Sequence, residues 1–201
     1  LDYRSYNGRN VYCRSLCFLL YKAAKELFPN CKIILRRPIS KGFFCCMDKG
    51  NGLMLTSEDV DAISLKMREI VDMDIPFRRH EAQVSEAIKM FKKLGQEDKV
   101  KLLETCGEVY INYYTLDDTT DYYYDALVPS TGYLKVWSLS TYHGGMLLRV
   151  PDRHEPLKLA PFYEQPKTFD VFTETVNWNR IMGLSNVGDV NEACLNGRAS
   201  E

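Results

Sequence analysis

The sequence predicts an α+β fold, with a mainly antiparallel sheet covered by long helices. Stretches with the 3.6-residue apolar period of helices are mixed along the chain with short β-rich stretches, without the strict alternation of parallel βαβ units. Turn signals also join neighbouring strands directly, which favours antiparallel pairing. We therefore expect helices lying across an antiparallel sheet.

The first helix is the strongest single element of the pattern. It is predicted between Asn10 as N-cap and Pro29 as the stop. Apolar residues recur on one side with helical spacing at Leu16, Leu19, Leu20, Ala23, Ala24 and Leu27. Lys22, Lys25 and Glu26 are predicted on the opposite, polar side. This helix should supply much of the core.

Further elements follow from β-rich runs, breakers and caps. The predicted strands are residues 32–37, 43–48, 77–84, 108–116 and 121–126, with a hairpin of 133–141 and 146–150 around His143-Gly144-Gly145. Thr56 and Asp59 form a predicted capping box for a second long helix, which ends at 74–76. Later helices are predicted at residues 86–95, 97–105 and 169–183, and from Asp189 to Gly197.

The composition is that of an ordinary globular protein. About 45% of the 201 residues are apolar and 26% are charged, and the net charge of −1 gives no general attraction to nucleic acid or membrane. No apolar run reaches the roughly 18 residues of a transmembrane helix. The seven cysteines are an odd number, and most have apolar neighbours. We interpret them as reduced thiols of a cytoplasmic protein.

Two cysteines and three histidines are possible metal ligands. Cys13 and Cys17 are four residues apart on the first helix, so they would share one face. They are either a metal or redox pair or, as we favour, small buried side chains at the edge of the apolar stripe. His80, His143 and His154 are scattered without a recognisable metal spacing. The sequence therefore predicts no metal site.

Two surface features are candidates for binding. One is an aromatic cluster, Tyr113, Tyr114, Tyr122, Tyr123 and Tyr124, which would either stack on bases or pack across strands. The other is a basic set, Arg36, Arg37, Lys41, Arg78 and Arg79. The two arginine pairs would meet only if their strands pair, and a solvated face is the default expectation.

Three blocks together resemble the editing-type domain that follows the N-terminal TGS domain of threonyl-tRNA synthetases. They are RSLCFLL with AKELFP, then Leu55 to Val60 with EAIKMFKKLGQEDKVKLL, and then the strand and loop that reach Val128-Pro129. Together they cover residues 10–150. The resemblance implies the fold of that domain, and a hydrolytic site between its first helix and a later strand and loop.

The positions of that site hold different chemistry in this chain. The family's site uses a His-x-x-x-His pair and a Cys-x-x-x-His pair, and the corresponding residues are Arg14, Phe18, Tyr123 and Leu127. None of them is a usual metal ligand or a general base near neutral pH. We expect the editing chemistry to be absent, with Phe18 and Leu127 closing the pocket. Arg14, predicted in the first helical turn, either binds a phosphate or carboxylate or pairs with a neighbouring carboxylate.

A second resemblance is to bacterial nucleoside (uridine) kinase-like proteins, in which a TGS-like and synthetase-like region precedes a P-loop kinase. It is carried by residues 12–20, 40–42, 121–124 and 128–133 and by the C-terminal NWNRIMGLSNVGDVNEACLNGRASE. It implies a non-catalytic region with a regulatory, substrate-presenting or assembly role. ATP and Mg²⁺ would belong to the kinase domain, because no Gly-Lys dipeptide of a P-loop occurs here.

The resemblances also predict a domain organisation and partners. Residues 1–9 would be an entry arm from a TGS-like domain, 10–150 the synthetase-like domain, and 151–201 a Pro-rich crossing segment and helices leading to the kinase. The expected partners are those two flanking domains, nucleotide or RNA, and further copies of the chain, but no membrane. The competing functions are an aminoacyl-tRNA deacylase and an RNA-binding module.

Overall fold

The computed structural model describes residues 2–39, 41–50, 53–163 and 187–195. The helices are α1 (Tyr6–Leu27), α2 (Ser57–Asp72), α3 (Val84–Lys93), α4 (Glu97–Thr105) and α5 (Val187–Leu195), with a 3-10 turn at Thr131–Tyr133. The strands are β1 (Lys32–Ile39), β2 (Gly42–Asp48), β3 (Phe77–Gln83), β4 (Tyr110–Leu116), β5 (Thr119–Tyr122), β6 (Ser138–Tyr142) and β7 (Gly145–Arg149). The predicted α+β fold class is confirmed.

The described chain forms two compact units that are interleaved in sequence. The first comprises residues 1–78, 115–121 and 125–164, and the second comprises 79–114, 122–124 and 165–201. The predicted domain boundaries at residues 9 and 150 concern a longer protein and stay a prediction. The predicted helix at 169–183 lies outside the described residues.

A four-stranded antiparallel sheet forms the floor of the first unit. Its order is β1-β2-β7-β6, and β7 is central. Met146, Leu147 and Leu148 on β7 are all buried, and this strand is paired on both edges. The predicted hairpin around residues 143–145 is confirmed as β6 and β7. The two arginine pairs of the basic set would meet only if their strands paired. Strand β1 pairs with β2, whereas β3 belongs to another sheet, so strand pairing does not bring them together.

Helix α1 supplies the core of the first unit, as its apolar stripe predicts. Leu16, Leu19, Leu20, Ala23 and Ala24 are wholly buried, while Leu27 is 38% exposed where the helix ends. The predicted N-cap at Asn10 is wrong. The helix begins at Tyr6, because the hydroxyl of Ser5 accepts a hydrogen bond from the Gly8 amide and caps the helix five residues before Asn10.

Lys22 is a second correction, because it lies in the core and not on a solvated side. Its side chain is 1% exposed, and its ammonium pairs with Glu26, with Asp117 and with Asp118 in the turn after β4. Glu26 also pairs with Lys66 on α2, at 3.2 Å. Burial opposes the charge on Lys22, but the hydrogen bonds that its ammonium donates to Asp118 and Glu26 hold its pKa above the ordinary value.

Helix α2 packs against α1 and against β6 in the first unit. Its predicted capping box is confirmed: the Thr56 hydroxyl accepts from the Asp59 amide, and the Asp59 carboxylate accepts from the Thr56 amide. Ile63, Met67 and Ile70 are wholly buried at helical spacing. No helix in the described ranges is long and apolar enough to cross a membrane.

The second unit has its own apolar core, built from α3, α4 and β4. Ala87, Phe91, Val100, Leu103 and Ile111 form it. Strands β3, β4 and β5 are neighbours in that order in a three-stranded sheet. Helix α5 packs against α4, where Lys101 pairs with Asp189 at 3.0 Å. The sequence predicts that this helix starts at Asp189. The helix instead begins at Val187, so Asp189 lies within its first turn.

Substitution of Leu20 by Ala tests whether α1 is a core helix. We expect the free energy of unfolding to fall by about 2–5 kcal/mol, because the change leaves a cavity at a wholly buried site. Ala24→Asp should be at least as damaging, since it buries a carboxylate. Leu65→Ala, at a position 64% exposed on α2, is the matched control and should change stability by less than about 0.5 kcal/mol. Chemical denaturation of the three variants measures this, and equal midpoints for Leu20→Ala and Leu65→Ala would contradict it.

Two substitutions of Lys22 distinguish the contribution of its charge from that of its shape. Lys22→Glu should destabilise the chain by about 3 kcal/mol or more, because it places a fourth carboxylate among Glu26, Asp117 and Asp118. Lys22→Met keeps the aliphatic volume and leaves the acids access to solvent, so we expect a loss of less than about 1.5 kcal/mol. Thermal melts of both variants at neutral pH decide the point. If the two variants melt together, the ammonium has no role in holding the turn.

Candidate functional site

One irregular segment of the first unit is held by side chains instead of by a sheet. It is residues 126–137, which we call the anchored loop. The Val128 amide donates to the hydroxyl of Ser15 at 2.8 Å, and that buried hydroxyl donates in turn to the Val11 carbonyl on α1. Ser15 therefore links the start of the loop to the helix backbone.

Tyr12 fixes the far end of the anchored loop. Its hydroxyl donates to the Val136 carbonyl at 3.0 Å and accepts from the Val136 amide at 3.1 Å. Burial raises the pKa of Tyr12 to about 12, even though the hydrogen bond from the Val136 amide acts the other way. The phenol therefore stays protonated and keeps its donor role at physiological pH.

Thr131 joins the middle of the anchored loop to the end of α2. Its buried hydroxyl donates to the Ile70 carbonyl at 2.7 Å and accepts from the Ile75 amide at 2.9 Å. The Thr131 amide also donates to the Ile75 carbonyl at 2.9 Å. Three bonds at one residue leave this part of the loop little conformational freedom.

Asp74 holds the same part of the loop from the α2–β3 turn. Its carboxylate accepts from the Ser130 hydroxyl and from the Gly132 amide. These two bonds, that of Ser130 first, hold the pKa of Asp74 below its ordinary value. Asp74 has a φ of +52°, a left-handed conformation that Asp tolerates better than most residues. A side chain at Gly132 would collide with the carboxylate, so this position requires glycine.

The anchored loop forms one wall of an open cleft of about 1300 Å³. The other walls are the first turns of α1, the end of α2 and residues 151–157. Most of the lining is apolar or aromatic, and it includes Tyr3, Val11, Tyr12, Leu127, Val136 and Leu157. Four charged residues, Arg68, Asp72, Asp74 and Lys135, also line it. Because these anchoring bonds are all made within the protein itself, the cleft is preformed.

Arg14 forms an ion pair with a carboxylate. Its guanidinium pairs with Asp125 at 2.6 Å and donates to the Ala126 carbonyl at 3.2 Å. Because α1 begins at Tyr6, Arg14 is in the third turn of the helix, away from the free amides on which anion binding was predicted. The structure thus shows the alternative expected for this residue, a pair with a neighbouring carboxylate.

The other three predicted site positions fall in different places. Phe18 is wholly buried and packs on Phe77, with ring centroids 5.7 Å apart. Leu127 lies one residue beyond the Arg14 contact and lines the cleft, which remains open beside it. Tyr123 belongs to the second unit. The proposed equivalence of these four positions to an editing site stays a prediction.

The sulfur and imidazole groups form no cluster in the described ranges. Cys13 and Cys17 are buried free thiols, and burial raises the pKa of Cys13 to about 11. No group of three or more His, Cys, Asp or Glu suited to a metal occurs among the described residues. His80 stacks on Tyr113 in the second unit, with ring centroids 5.0 Å apart, while His143 and His154 are exposed in turns. None of the three histidines lines the cleft.

The tyrosine cluster divides between packing and exposure. Tyr113 and Tyr122 pack against the apolar core of the second unit, and Tyr114 is 6% exposed. These three therefore follow the packing alternative. Tyr124 is 74% exposed and is the one of the five open to solvent over most of its surface.

Sequence reasoning missed the residues that build the cleft. Asp74 was predicted only as a helix stop, and Thr131 only as part of a turn-like loop. Neither Arg68 nor Tyr12 was singled out for a binding role. The bonds involved join residues more than 50 positions apart, so local patterns do not reveal them. The Pro-Ser-Thr-Gly run was the available signal, because such residues favour side-chain to backbone bonding.

Comparison with known proteins finds similarity to threonine–tRNA ligases. The chain is 32% identical over 141 residues to the enzyme of Geobacter sp. (strain M21), covering 70% of this chain and 22% of that protein. It is 35% identical over 133 residues to the enzyme of Carboxydothermus hydrogenoformans and 37% over 135 residues to that of Laribacter hongkongensis, covering 66% of this chain and 21% of each relative. The matched stretch thus spans about a fifth of these curated relatives. No protein-family model matches the chain.

These relatives bear on the two resemblances differently. All three are threonine–tRNA ligases, which supports the predicted likeness to the editing-type domain of the synthetase. Nothing in them supports a link to a uridine or nucleoside kinase. The kinase-related predictions therefore have no support beyond the residues on which they were made.

Asp74 yields a pH prediction. Its pKa is lower in the folded chain, so its stabilising bonds are fully present above the unfolded value near 3.9 and are lost as the pH falls through the folded value. Asp74→Asn should lower the melting temperature at pH 7, and the gap to the wild type should close below about pH 4. Asn tolerates the same backbone conformation, so the comparison isolates the charge. Asp61→Asn, at an exposed position of α2, should show no such trend. A gap for Asp74→Asn that is constant from pH 7 to pH 3 would contradict the assignment.

Proposed function

We propose that this chain is an editing-type domain of a threonine–tRNA ligase-like protein that binds the aminoacylated end of a tRNA without hydrolysing it. Similarity to the ligases over about two thirds of the chain supports the protein class. The preformed cleft is the single observation that carries the binding role. Its apolar and aromatic lining suits an amino-acid side chain and a nucleoside base.

The absence of hydrolysis follows from what occupies the positions that resemble the family's catalytic pairs. Arg14 is held by Asp125, and Phe18 is packed on Phe77. Neither side chain can accept a proton from water near pH 7. Within the described part of the cleft lining there is no His or Cys, and Asp74 is engaged with Ser130 and Gly132. The described lining of the cleft therefore has room for a ligand and offers no imidazole or thiol as a base.

Two assays on the same preparation test this function. Threonine-accepting tRNA, correctly charged and mischarged, is incubated with the chain, and release of the amino acid is followed. Binding of the charged tRNA is measured in parallel by filter retention. We expect retention of the charged tRNA, and release no faster than in a blank from the same purification.

The variant Leu127→Glu tests whether the tRNA end binds in the cleft. A carboxylate at this half-buried position should repel the tRNA end and weaken binding by about tenfold or more, which corresponds to roughly 1.4 kcal/mol. Leu65→Glu adds the same charge at an exposed site that does not line the cleft, and it should bind within about twofold of the wild type. Equal weakening in both variants would show nonspecific repulsion, and release of the amino acid above the blank would show a working deacylase.

The kinase-linked role is kept as a second candidate. It rests on the resemblance of residues 121–124 and 128–133 to nucleoside kinase-like proteins, and the latter stretch lies within the anchored loop. In that role the domain presents a nucleoside to a separate phosphotransferase or regulates it, and ATP with Mg²⁺ belongs to that other domain. The chain alone should transfer no phosphate from ATP to uridine. Transfer above a blank would contradict both candidates.

A further inference from the structure

Arg68 occupies an unusual place in the cleft. Its guanidinium carbon lies 4.2 Å from the centroid of the Trp137 ring, and one of its nitrogens donates to the Trp137 carbonyl at 3.2 Å. Trp137 is 2% exposed and is itself fixed, because its indole N–H donates to the Leu134 carbonyl at 2.9 Å. The anchored loop thus places the cation over the ring of a buried, fixed aromatic residue.

The charge of Arg68 is not neutralised within the described chain. Asp72 is four residues further along α2, a spacing at which an arginine and an acid commonly pair. Among the described residues, however, Arg68 forms no ion pair. Its guanidinium donates to the Trp137 carbonyl and lies over the Trp137 ring. A guanidinium has five N–H donors, and the carbonyl uses one. Donors therefore remain for an anion in the cleft.

Besides Arg68, the cleft lining carries two acids and one further cation. Asp74 accepts two hydrogen bonds from the anchored loop, and Lys135 lies close enough to lower the pKa of Asp74 further. Asp72 is exposed and forms no ion pair among the described residues. It opposes an anion at Arg68 without blocking the guanidinium. Tyr133, 63% exposed on the same lining, offers a ring face on which a base can stack.

We propose that Arg68 binds the phosphate of a nucleotide whose base lies against the aromatic lining of the cleft. The proposal rests on the proposed function only in taking the cleft as the ligand site. A flat, oriented guanidinium suits the two oxygens of a phosphate, which a bidentate contact uses. The ligand class is therefore a nucleoside monophosphate, free or as the terminal unit of a nucleic acid.

Calorimetric titration of the full chain tests the proposal with three probes. They are adenosine 5′-monophosphate, adenosine, and inorganic phosphate. We expect the nucleotide to bind about tenfold or more tightly than adenosine, since a hydrogen bond to a charged group supplies that much. Inorganic phosphate should bind more weakly than the nucleotide, because it lacks the base. Equal affinities for nucleotide and adenosine would overturn the role of Arg68, and equal affinities for nucleotide and phosphate would overturn the role of the aromatic lining.

Two substitutions one helical turn apart should act in opposite directions. Arg68→Met keeps most of the packing on Trp137 and removes the charge, so it should weaken the nucleotide about tenfold and leave adenosine within twofold. Asp72→Asn removes the opposing charge and should tighten the nucleotide by about twofold to fivefold. Arg78→Met, at an exposed position outside the cleft, is the matched control and should change neither.

The outcomes separate this proposal from the proposed function. If charged tRNA still binds and Leu127→Glu still weakens that binding about tenfold, but Arg68→Met and Asp72→Asn leave nucleotide affinity unchanged, the phosphate assignment is wrong and the cleft function stands. If Arg68→Met fails to fold, Asp72→Asn still decides, because that exposed change should not disturb the core. Weaker nucleotide binding by Asp72→Asn would contradict an anion at this place.

Discussion

The hydrogen bonding between the anchored loop and the two long helices of the first unit is the constraint on which the cleft depends. Residues 126–137 contain a single 3-10 turn and no strand, so their backbone groups have few partners of their own. Ser15, Tyr12 and Asp74 supply partners to those groups from their side chains, and the Thr131 hydroxyl bonds outward to the backbone of Ile70 and Ile75. An irregular segment of twelve residues becomes a fixed wall of the cleft in this way.

The core beneath the loop makes this anchoring possible. Ser15 and Tyr12 can reach the loop only because the buried stripe of α1 holds that helix in place, with Leu16 and Leu19 wholly enclosed. Lys22, further along the same helix, ties its second half to the turn after β4 through Asp117 and Asp118. Arg14 and Phe18 on the same helix are also fixed, by Asp125 and by Phe77.

The fold was largely predictable from the sequence, because its signals are local. The stripe of α1, the capping box at Thr56 and the hairpin around residues 143–145 each depend on spacing within a few residues. The errors arose where distant groups decide the outcome. Lys22 follows a polar pattern, yet acids near residue 118 draw it into the core. Arg68 has Asp72 four residues further along the helix, yet its guanidinium lies over the ring of the distant Trp137. The cleft rests on such long-range contacts, so its lining was not foreseen.

Hydrogen exchange of the backbone amides tests most directly whether the loop is fixed before any ligand binds. The amides of Val128, Thr131, Gly132 and Val136 each donate to a specific partner on or beside the helices. We predict that all four exchange much more slowly than unstructured peptide in the ligand-free chain, by about 10²-fold or more. Exchange at the unstructured rate for these amides, with α1 protected, would show that the loop is not anchored and that the cleft is not preformed.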